Sequence, residues 1–396
     1  MIQTSKLCVH IQDSMSIPGQ VEVQRRGQPR VAKQMADEPD NVRRCKEVSP
    51  DTFWVGRVHY DEDGQDVSDP RGAAMMVRDR ILRRAMCRDA DAWEFFNEPN
   101  QWDHIRQSEA ECWFSELMHA EELKTVAFDW SVGNPRLEIW HDPIVLEALR
   151  LCDYLGLHEY LAPSLWDKRA FDPPYTDREE YLTNGWFFLR YRKVWEIICQ
   201  YLEPSARPPI IITEFGIDSG ACHWDPEAQG GWKSFFGREE LPALFEQIDW
   251  ADRQMQRDDY VMGACWFNFE TRDWVNWGTF DFFDPPEARE AFTQYLEARL
   301  QPEDLFTMIG DHLNDPDVMI PANLEAAMQQ YALRHNLGAA RTREVGYDGE
   351  FVFEGEGYLA QMFMPNDDLS TQHIVYASLD DPRPWSEKLS HFDREN

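Results

Sequence analysis

The stretch Trp93-Glu94-Phe95-Phe96-Asn97-Glu98-Pro99-Asn100 decides how the rest of the sequence is interpreted. Its aromatic and apolar beginning is typical of a buried strand, and Pro99 ends that strand because proline cannot continue a central hydrogen-bond ladder. The pattern predicts a strand over residues 92–99 that leaves the carboxylate of Glu98 at its end. The amide side chain of Asn97 lies next to it in the sequence.

A second stretch has the same design. Pro209-Ile210-Ile211-Ile212-Thr213-Glu214-Phe215-Gly216 is a β-branched run that also ends in a glutamate. If both runs are parallel strands of one barrel, their carboxyl ends lie at the same face, and Glu98 and Glu214 meet there. A pair of carboxylates in that arrangement is what acid/base and nucleophilic chemistry on a sugar requires.

Six further apolar runs alternate with mostly helical segments, which predicts an α/β protein with a (β/α)8 TIM barrel. Residues 12–29 are polar and punctuated by glycine and proline, with little helical pattern, so the first helical unit is only weakly indicated. Strands are predicted over residues 6–11, 30–35, 52–60, 92–99, 124–132, 153–161, 209–217 and 261–269. Helices are predicted over residues 41–48, 70–88, 109–123, 143–152, 185–201, 239–259 and 287–300, with long loops over 162–183 and 218–238.

The last part of the sequence breaks this alternation. Residues 323–335 have a helical pattern, and residues 351–353, 358–363 and 373–377 are typical of antiparallel strands. We therefore predict two domains, a barrel over residues 1–301 and a small C-terminal α+β or β-rich module over residues 302–396.

The two glutamate motifs resemble the strand-four and strand-seven signatures of the clan A retaining glycoside hydrolases, which are (β/α)8 barrels of the cellulase and β-glycanase kind. The resemblance covers roughly residues 1–300. It implies that Glu98 is the acid/base, that Glu214 is the nucleophile and that Asn97 holds the 2-hydroxyl group of the sugar. It also implies hydrolysis of β-linked glycans, with an oligosaccharide or polysaccharide as substrate and no cofactor.

Glu94 lies four residues before Glu98 on the same predicted strand, so its side chain should point into the barrel at a deeper level. A charge buried there without a partner is very costly. Arg57, on the neighbouring predicted strand, is the natural counter-ion, and we place it among the candidate site residues.

His158 and Tyr160 are two residues apart on the sixth predicted strand and therefore share a face. The resemblance implies that Tyr160 donates a hydrogen bond to the nucleophile. His158 contacts the substrate or Glu214, or else fills a core position. The resemblance also implies that Trp266 is the aromatic platform for the sugar, although a core position is the alternative. His10 ends the first strand and is a candidate to line the cleft, as are Lys33, Trp130 and Asn268 at the ends of other strands.

Histidines at several strand ends raise the alternative of a metal-dependent barrel hydrolase. That chemistry usually needs a His-x-His pair on the first strand, and His10-Ile11-Gln12 lacks it. No metal site is predicted.

The composition excludes some partners. The net charge is −33, with 72 acidic and 39 basic residues, and binding to nucleic acid or to an anionic membrane needs a basic surface. The acidic excess indicates either a solubilising surface or adaptation to high salt, where self-repulsion is screened. The low share of lysine among the basic residues favours high salt.

The eight cysteines are scattered and lie partly in apolar runs, which predicts buried thiols rather than a disulfide framework. No signal peptide or membrane-spanning run is evident, so we expect a cytoplasmic protein or one released without a standard signal. The sequence leaves the oligomeric state open. It also leaves two functional alternatives open: a hydrolase of cell-wall glycans such as peptidoglycan, with the C-terminal module as its targeting domain, and a non-catalytic carbohydrate-binding barrel.

Overall fold

The computed structural model describes residues 2–60, 64–166, 187–221 and 230–301, together with the backbone of four strands between residues 341 and 378. The chain divides into two compact units: one is Gln3–Arg299, and the other is Met1–Ile2 with Leu300–Asn396. The predicted loop at 162–183 falls largely outside the described residues, and so do residues 222–229 of the predicted loop at 218–238. The predicted helix at 323–335 falls entirely outside them.

The first unit is a closed barrel of eight parallel strands, which confirms the predicted (β/α)8 fold. The first and last strands close the barrel in parallel register, with Leu7 opposite Ala264. In chain order the strands are β1 (Leu7–Ile11), β2 (Val31–Gln34), β3 (Phe53–Gly56), β4 (Ala92–Glu94), β5 (Lys124–Trp130), β6 (Tyr154–Tyr160), β7 (Ile210–Gly216) and β8 (Val261–Trp266). Short strands also cover Ile2–Gln3 and Leu300–Gln301.

Helices follow the strands around the barrel. They are α1 (Ile17–Gly27), α2 (Pro39–Val48), α3 (Pro70–Leu82), α4 (His104–Ala120), α5 (Pro143–Leu151), α6 (Tyr191–Tyr201), α7 (Leu241–Met255), α8 (Trp274–Trp277) and α9 (Pro286–Glu297). Helix α1 lies within residues 12–29, where the sequence shows only a weak helical pattern. Its buried face is made mostly of Gln20, Val23, Gln24 and Gly27, and a face with two amides and a glycine gives almost no hydrophobic periodicity.

Strand β4 is shorter than predicted and ends at Glu94 rather than at residue 99. The backbone leaves the ladder because the N–H of Glu98 donates to the carbonyl oxygen of Asp129 at 3.1 Å. Glu98 also has a positive φ of 45°, which a strand does not allow. The departure from the strand is what turns the Glu98 side chain toward the mouth of the barrel.

The barrel interior has an apolar layer to which seven strands each contribute one residue. Strand alternation puts every second residue on this inner face, and small side chains fill the space without a pore. The layer consists of Cys8, Val31, Val55, Ala92, Val126, Ile211 and Cys265. A larger core cluster outside the barrel packs the strands against the helices.

The second unit contains a four-stranded antiparallel sheet, described here by its backbone alone. Three of its strands, Glu350–Gly355, Tyr358–Phe363 and His373–Ser378, lie where the sequence predicts strands. The first strand, Arg341–Val345, was not predicted. Its sequence Arg-Thr-Arg-Glu-Val has one apolar residue, so it lacks the alternation that marks a half-buried strand.

All described cysteines are free thiols, and five of the seven are buried. Within the described part of the chain, every helix is too short or too polar to cross a lipid bilayer.

A buried carboxyl group on α4 makes the stability of the barrel sensitive to pH. Burial raises the pKa of Glu111 from 4.5 to about 8, while Oε1 accepts hydrogen bonds from the Phe128 N–H and the Gln107 amide, both at 3.0 Å. Between pH 4.5 and about pH 8 the folded protein therefore keeps a proton on Glu111, whereas the unfolded chain releases it. Its contribution to stability is complete below pH 4.5 and is lost as the pH rises toward 8.

We predict that Glu111→Gln flattens the fall in stability between pH 6 and pH 9, because glutamine keeps an acceptor but cannot ionise. The difference from wild type should be on the order of 2 kcal/mol. Melting temperatures across this pH range measure it, and Glu109→Gln, an exposed position on the same helix, is the control. An identical pH profile for wild type and Glu111→Gln would contradict the prediction.

Candidate active site

A cavity of 210 Å³ opens at the carboxyl ends of the barrel strands. This is the face at which (β/α)8 enzymes place their active sites. Six residues proposed from the sequence line it, and five do not: His158, Trp266, Lys33, Trp130 and Asn268. The lining consists of His10, Gln12, Met35, Arg57, Val58, His59, Tyr60, Gln65, Asn97, Glu98, Tyr160, Glu214, Asp218, Phe267, Trp277 and Phe280.

A layer of charged and polar side chains lies between the apolar layer of the barrel and this cavity. Strand alternation explains it, because residues two positions beyond the apolar layer point the same way. From β1 to β4, Cys8, Val31, Val55 and Ala92 are followed in this manner by His10, Lys33, Arg57 and Glu94.

Glu214 lies near the end of β7 and is almost fully buried. Its Oε1 accepts hydrogen bonds from Arg57 Nη1 at 3.0 Å and Lys33 Nζ at 3.2 Å, and its Oε2 accepts one from the Tyr160 hydroxyl at 2.9 Å. Burial alone would raise the pKa of this carboxyl group, but His158, Lys33 and Arg57 lower it well below its ordinary value. Glu214 is therefore an ionised carboxylate held in a fixed orientation.

Glu98 is more open, with its side chain 37% exposed. Its Oε1 lies 2.8 Å from Nδ1 of His158, and the same nitrogen lies 3.5 Å from Oε2 of Glu214. One carboxylate oxygen of Glu98 lies within 4.8 Å of one of Glu214. The site thus contains a buried carboxylate and an accessible one, with a buried imidazole between them.

Tyr160 and His158 share a face of β6, as predicted from their spacing. Their rings are 6.3 Å apart, and both approach Glu214. Tyr160 lines the cavity, whereas His158 is buried behind the carboxylates. Of the open alternatives for His158, the structure supports contact with the carboxylates, and the closest contact is with Glu98 rather than with Glu214.

The predicted ion pair of Glu94 with Arg57 is confirmed. Glu94 is fully buried, its Oε2 lies 3.5 Å from Arg57 Nη1, and Lys33 Nζ is closer still at 2.9 Å. Lys33 and Arg57 each contact both Glu94 and Glu214. Two cations therefore link a deep carboxylate to the one at the cavity.

His10 and Asn97 complete the polar surroundings. His10 Nδ1 lies 3.9 Å from Oε1 of Glu214, and burial together with the Lys33 charge lowers the pKa of this imidazole well below 6.5. His10 is therefore neutral near pH 7. The Asn97 side-chain oxygen accepts a hydrogen bond from Arg57, and its backbone N–H donates to Gln65 at 2.6 Å. Both side chains face the cavity.

Trp266 corrects a prediction, because it is fully buried and offers no face to a sugar. It packs edge-on against Phe215 and Phe282, outside the barrel wall. Cys265 belongs to the inner layer, so its neighbour Trp266 points outward and Phe267 points inward. The aromatic residues that line the cavity are Phe267, Trp277 and Phe280, with Tyr60 and Tyr160.

Of the other strand-end candidates, Lys33 contacts Glu214, whereas Trp130 is buried in the core against Phe128. Asn268 is buried and donates to Gln12 at 3.1 Å.

Sequence reasoning missed Asp129, which lies at a bulge in β5, between Phe128 and Trp130. It is fully buried, accepts a hydrogen bond from Thr213 at 2.6 Å, and provides the backbone carbonyl that holds Glu98. Burial and the Glu94 charge raise the pKa of Asp129 well above its ordinary value. An isolated Asp near the end of a strand was the only signal for it in the sequence.

Glu98, His158 and Glu214 together offer three atoms that a metal ion could use, all within 4.8 Å of one another. Two carboxylates and an imidazole suit a divalent transition metal. Both oxygens of Glu214 already accept hydrogen bonds, however, and two cations contact it. The donor set therefore fits an organic substrate better than a metal.

The buried cations give a prediction about stability. Lys33→Met should lower the free energy of unfolding by about 3–5 kcal/mol, because it removes the closest counter-ion of Glu94. Lys46→Met is the matched control, since Lys46 pairs with Asp91 at 2.8 Å near the surface and should cost less than about 1 kcal/mol. Urea unfolding measures both. Equal effects of the two substitutions would contradict the account of the buried pair.

Fold and site together define a (β/α)8 barrel with two carboxylates at the carboxyl ends of its strands. No family model matches the sequence, and no curated protein matches it. Among solved structures, the chain is similar to a β-glucuronidase from Ruminococcus gnavus in complex with D-glucuronic acid, with 16% identity and a TM-score of 0.46. That match covers 74% of this chain and 49% of the other.

Two further structures extend the comparison. AbfB, a family 51 α-L-arabinofuranosidase from Bifidobacterium longum, has 12% identity and a TM-score of 0.41, over 67% of this chain and 66% of that one. The endo-β1,6-glucanase BT3312 has 11% identity and a TM-score of 0.40, and the match covers 98% of this chain and 89% of that one. All three are glycosidases or glycanases by name. The chain spans about half the length of the first structures it matches, and the likeness is one of barrel architecture.

Proposed function

We propose that this protein is a retaining glycoside hydrolase that cleaves β-linked glycans by double displacement. The observation that carries the proposal is the pair Glu98 and Glu214, with carboxylate oxygens within 4.8 Å of one another. Retaining enzymes have carboxyl groups about 5–5.5 Å apart, whereas inverting enzymes need about 6.5–9.5 Å to admit a water molecule. The separation favours direct attack by one carboxylate on the sugar.

The environments of the two carboxyl groups support distinct roles. Glu214 is buried and hydrogen-bonded to Tyr160, Lys33 and Arg57, which favour its ionised form. It is the nucleophile. Glu98 is the more exposed group and has His158 at hydrogen-bond distance, so it can reach the oxygen of a leaving group. It is the acid/base.

In the first step Glu98 gives its proton to the glycosidic oxygen while an oxygen of Glu214 attacks the anomeric carbon. The bond from that carbon to the leaving oxygen breaks, and the sugar becomes esterified to Glu214. In the second step Glu98 takes a proton from water, the water oxygen attacks the same carbon, and Glu214 departs as a carboxylate. Two inversions give net retention.

The surrounding side chains support these steps without a cofactor. Tyr160, Lys33 and Arg57 fix which Glu214 oxygen points to the sugar, and such preorganisation is a large part of catalysis. The His158 contact orients Glu98. Asn97 lies at the cavity beside Glu98, in position to bind a sugar hydroxyl.

The test is the release of reducing ends from β-glucans, xylan, mannan and peptidoglycan, at low and high salt. Wild type and Glu214→Gln are compared side by side. We expect wild type to act on at least one polymer and the variant to be inactive on it. A folded wild type that binds a polymer but cleaves none at either salt concentration would contradict the proposal and favour a carbohydrate-binding barrel.

A further inference from the structure

A second cavity opens beside the first, on the side of Glu98. It has a volume of 470 Å³, against 210 Å³ for the catalytic cavity. Gln65, Asn97 and Glu98 line both cavities, whereas Glu214 lines only the first. A group that leaves the anomeric carbon after protonation by Glu98 would therefore lie in this second cavity. We call it the leaving-group cavity.

The lining of the leaving-group cavity is mostly polar. It consists of Gln65, Asp66, Val67, Asn97, Glu98, Pro99, Asn100, Asp103 and Gln107. Its four amides can both donate and accept hydrogen bonds, and its three carboxyl groups accept them when ionised. This is the chemistry that sugar hydroxyl groups match. Among the described residues, no basic side chain lines this cavity, so an uncharged sugar fits it better than an anionic one.

An exposed tryptophan is flanked in the chain by residues that line this cavity. Trp102 falls between Asn100 and Asp103 in the chain, and at 69% it is the most exposed tryptophan among the described residues. Its backbone N–H donates to the Asn100 side chain at 3.0 Å, and the Arg136 guanidinium lies 5.0 Å from the ring centroid. An exposed indole is amphipathic and enriched at binding surfaces. A sugar ring can stack on it through its C–H face.

We propose that the leaving-group cavity and Trp102 bind the leaving-group side of the substrate, as an uncharged oligosaccharide of two or more sugar units. The inference rests on the proposed function and adds a substrate class to it. The enzyme then prefers bonds inside a glycan chain over bonds to a small leaving group. The polar cavity holds the first sugar beyond the cleaved bond, and Trp102 holds the next.

The test compares two substrates with the same sugar at the cleaved position, chosen from the polymer that wild type hydrolyses. One is the 4-nitrophenyl β-glycoside, and the other is a tetrasaccharide of the same linkage. Trp102→Ala should lower kcat/KM about five- to tenfold more for the tetrasaccharide than for the nitrophenyl glycoside. The difference should come mainly from a higher KM for the tetrasaccharide.

Trp113→Ala is the matched control, because Trp113 also lies under an arginine, with Arg71 4.8 Å from its ring centroid, and is 37% exposed. Its preference between the two substrates should equal that of wild type. If wild type is active and Trp102→Ala leaves that preference unchanged, the inference is overturned while the proposed function stands. Inactivity of wild type on both substrates contradicts the proposed function and this inference together.

Discussion

Glu214→Gln is expected to lower kcat by about 10⁵-fold, the scale seen when a catalytic nucleophile is removed. Glutamine is nearly isosteric but cannot carry the negative charge that attacks the anomeric carbon. It also removes one of the two carboxylates that Lys33 and Arg57 contact, so the positive charge next to the reacting carbon opposes an oxocarbenium-like transition state. Steady-state hydrolysis of the preferred polymer measures the effect.

Glu138→Gln is the control for this substitution, since the Glu138 side chain is 65% exposed on the surface. It should retain full activity. Circular dichroism must show that Glu214→Gln is folded, because the same two cations could destabilise it. A folded Glu214→Gln protein with more than about a tenth of wild-type kcat would mean that Glu214 is not the nucleophile.

Glu98→Ala is expected to produce a loss that depends on the leaving group. For a poor leaving group such as a sugar, kcat/KM should fall by about 10³–10⁴-fold, the upper part of the range for general acid catalysis. For a 2,4-dinitrophenyl glycoside the fall should be at least tenfold smaller, since that group departs without a proton. The ratio of the two kcat/KM values isolates proton donation from binding and folding.

Added azide provides the control for Glu98→Ala. Azide is a nucleophile that needs no general base, so it should attack the glycosyl ester on Glu214 and restore turnover with the dinitrophenyl substrate. The product should be the β-glycosyl azide. Equal losses for both leaving groups, with no effect of azide, would remove Glu98 from the acid/base role.

The sequence indicated the barrel and its two glutamates because both signals are local. An aromatic or β-branched run that leads to a glutamate indicates a parallel strand whatever surrounds it, although β4 itself already ends at Glu94. The outward turn of the backbone at Glu98 could not be predicted from a local pattern. It depends on a hydrogen bond to Asp129 across the barrel wall, and that contact is set by tertiary structure.

The misplacement of Trp266 has its physical origin in strand phase. Trp266 was placed in the cleft, although it belongs to the opposite face of β8 from Phe267. A shift of one residue moves a side chain to the other face of a strand, and a run that is apolar throughout does not reveal its phase. Lys33 was only a weak candidate for a different reason, since a lysine within a buried strand signals a charge partner but not which one.

Helix α1 was hard to predict because its buried face is polar. Its inner face includes Gln20 and Gln24. Gln20 donates a hydrogen bond, at 3.0 Å, to the carboxylate of Glu270, which follows β8 in the chain. Burial through amide hydrogen bonds leaves no apolar stripe. The first βα unit therefore looked weaker in the sequence than it is in the fold.

The anomeric configuration of the first product tests the central claim most directly. Proton NMR can follow wild-type hydrolysis of a β-linked oligosaccharide in D₂O before mutarotation scrambles the anomers. Attack by Glu214 followed by water predicts that the β-anomer appears first and the α-anomer grows in later. Initial release of the α-anomer would mean single displacement by water, and it would contradict the roles assigned to Glu98 and Glu214.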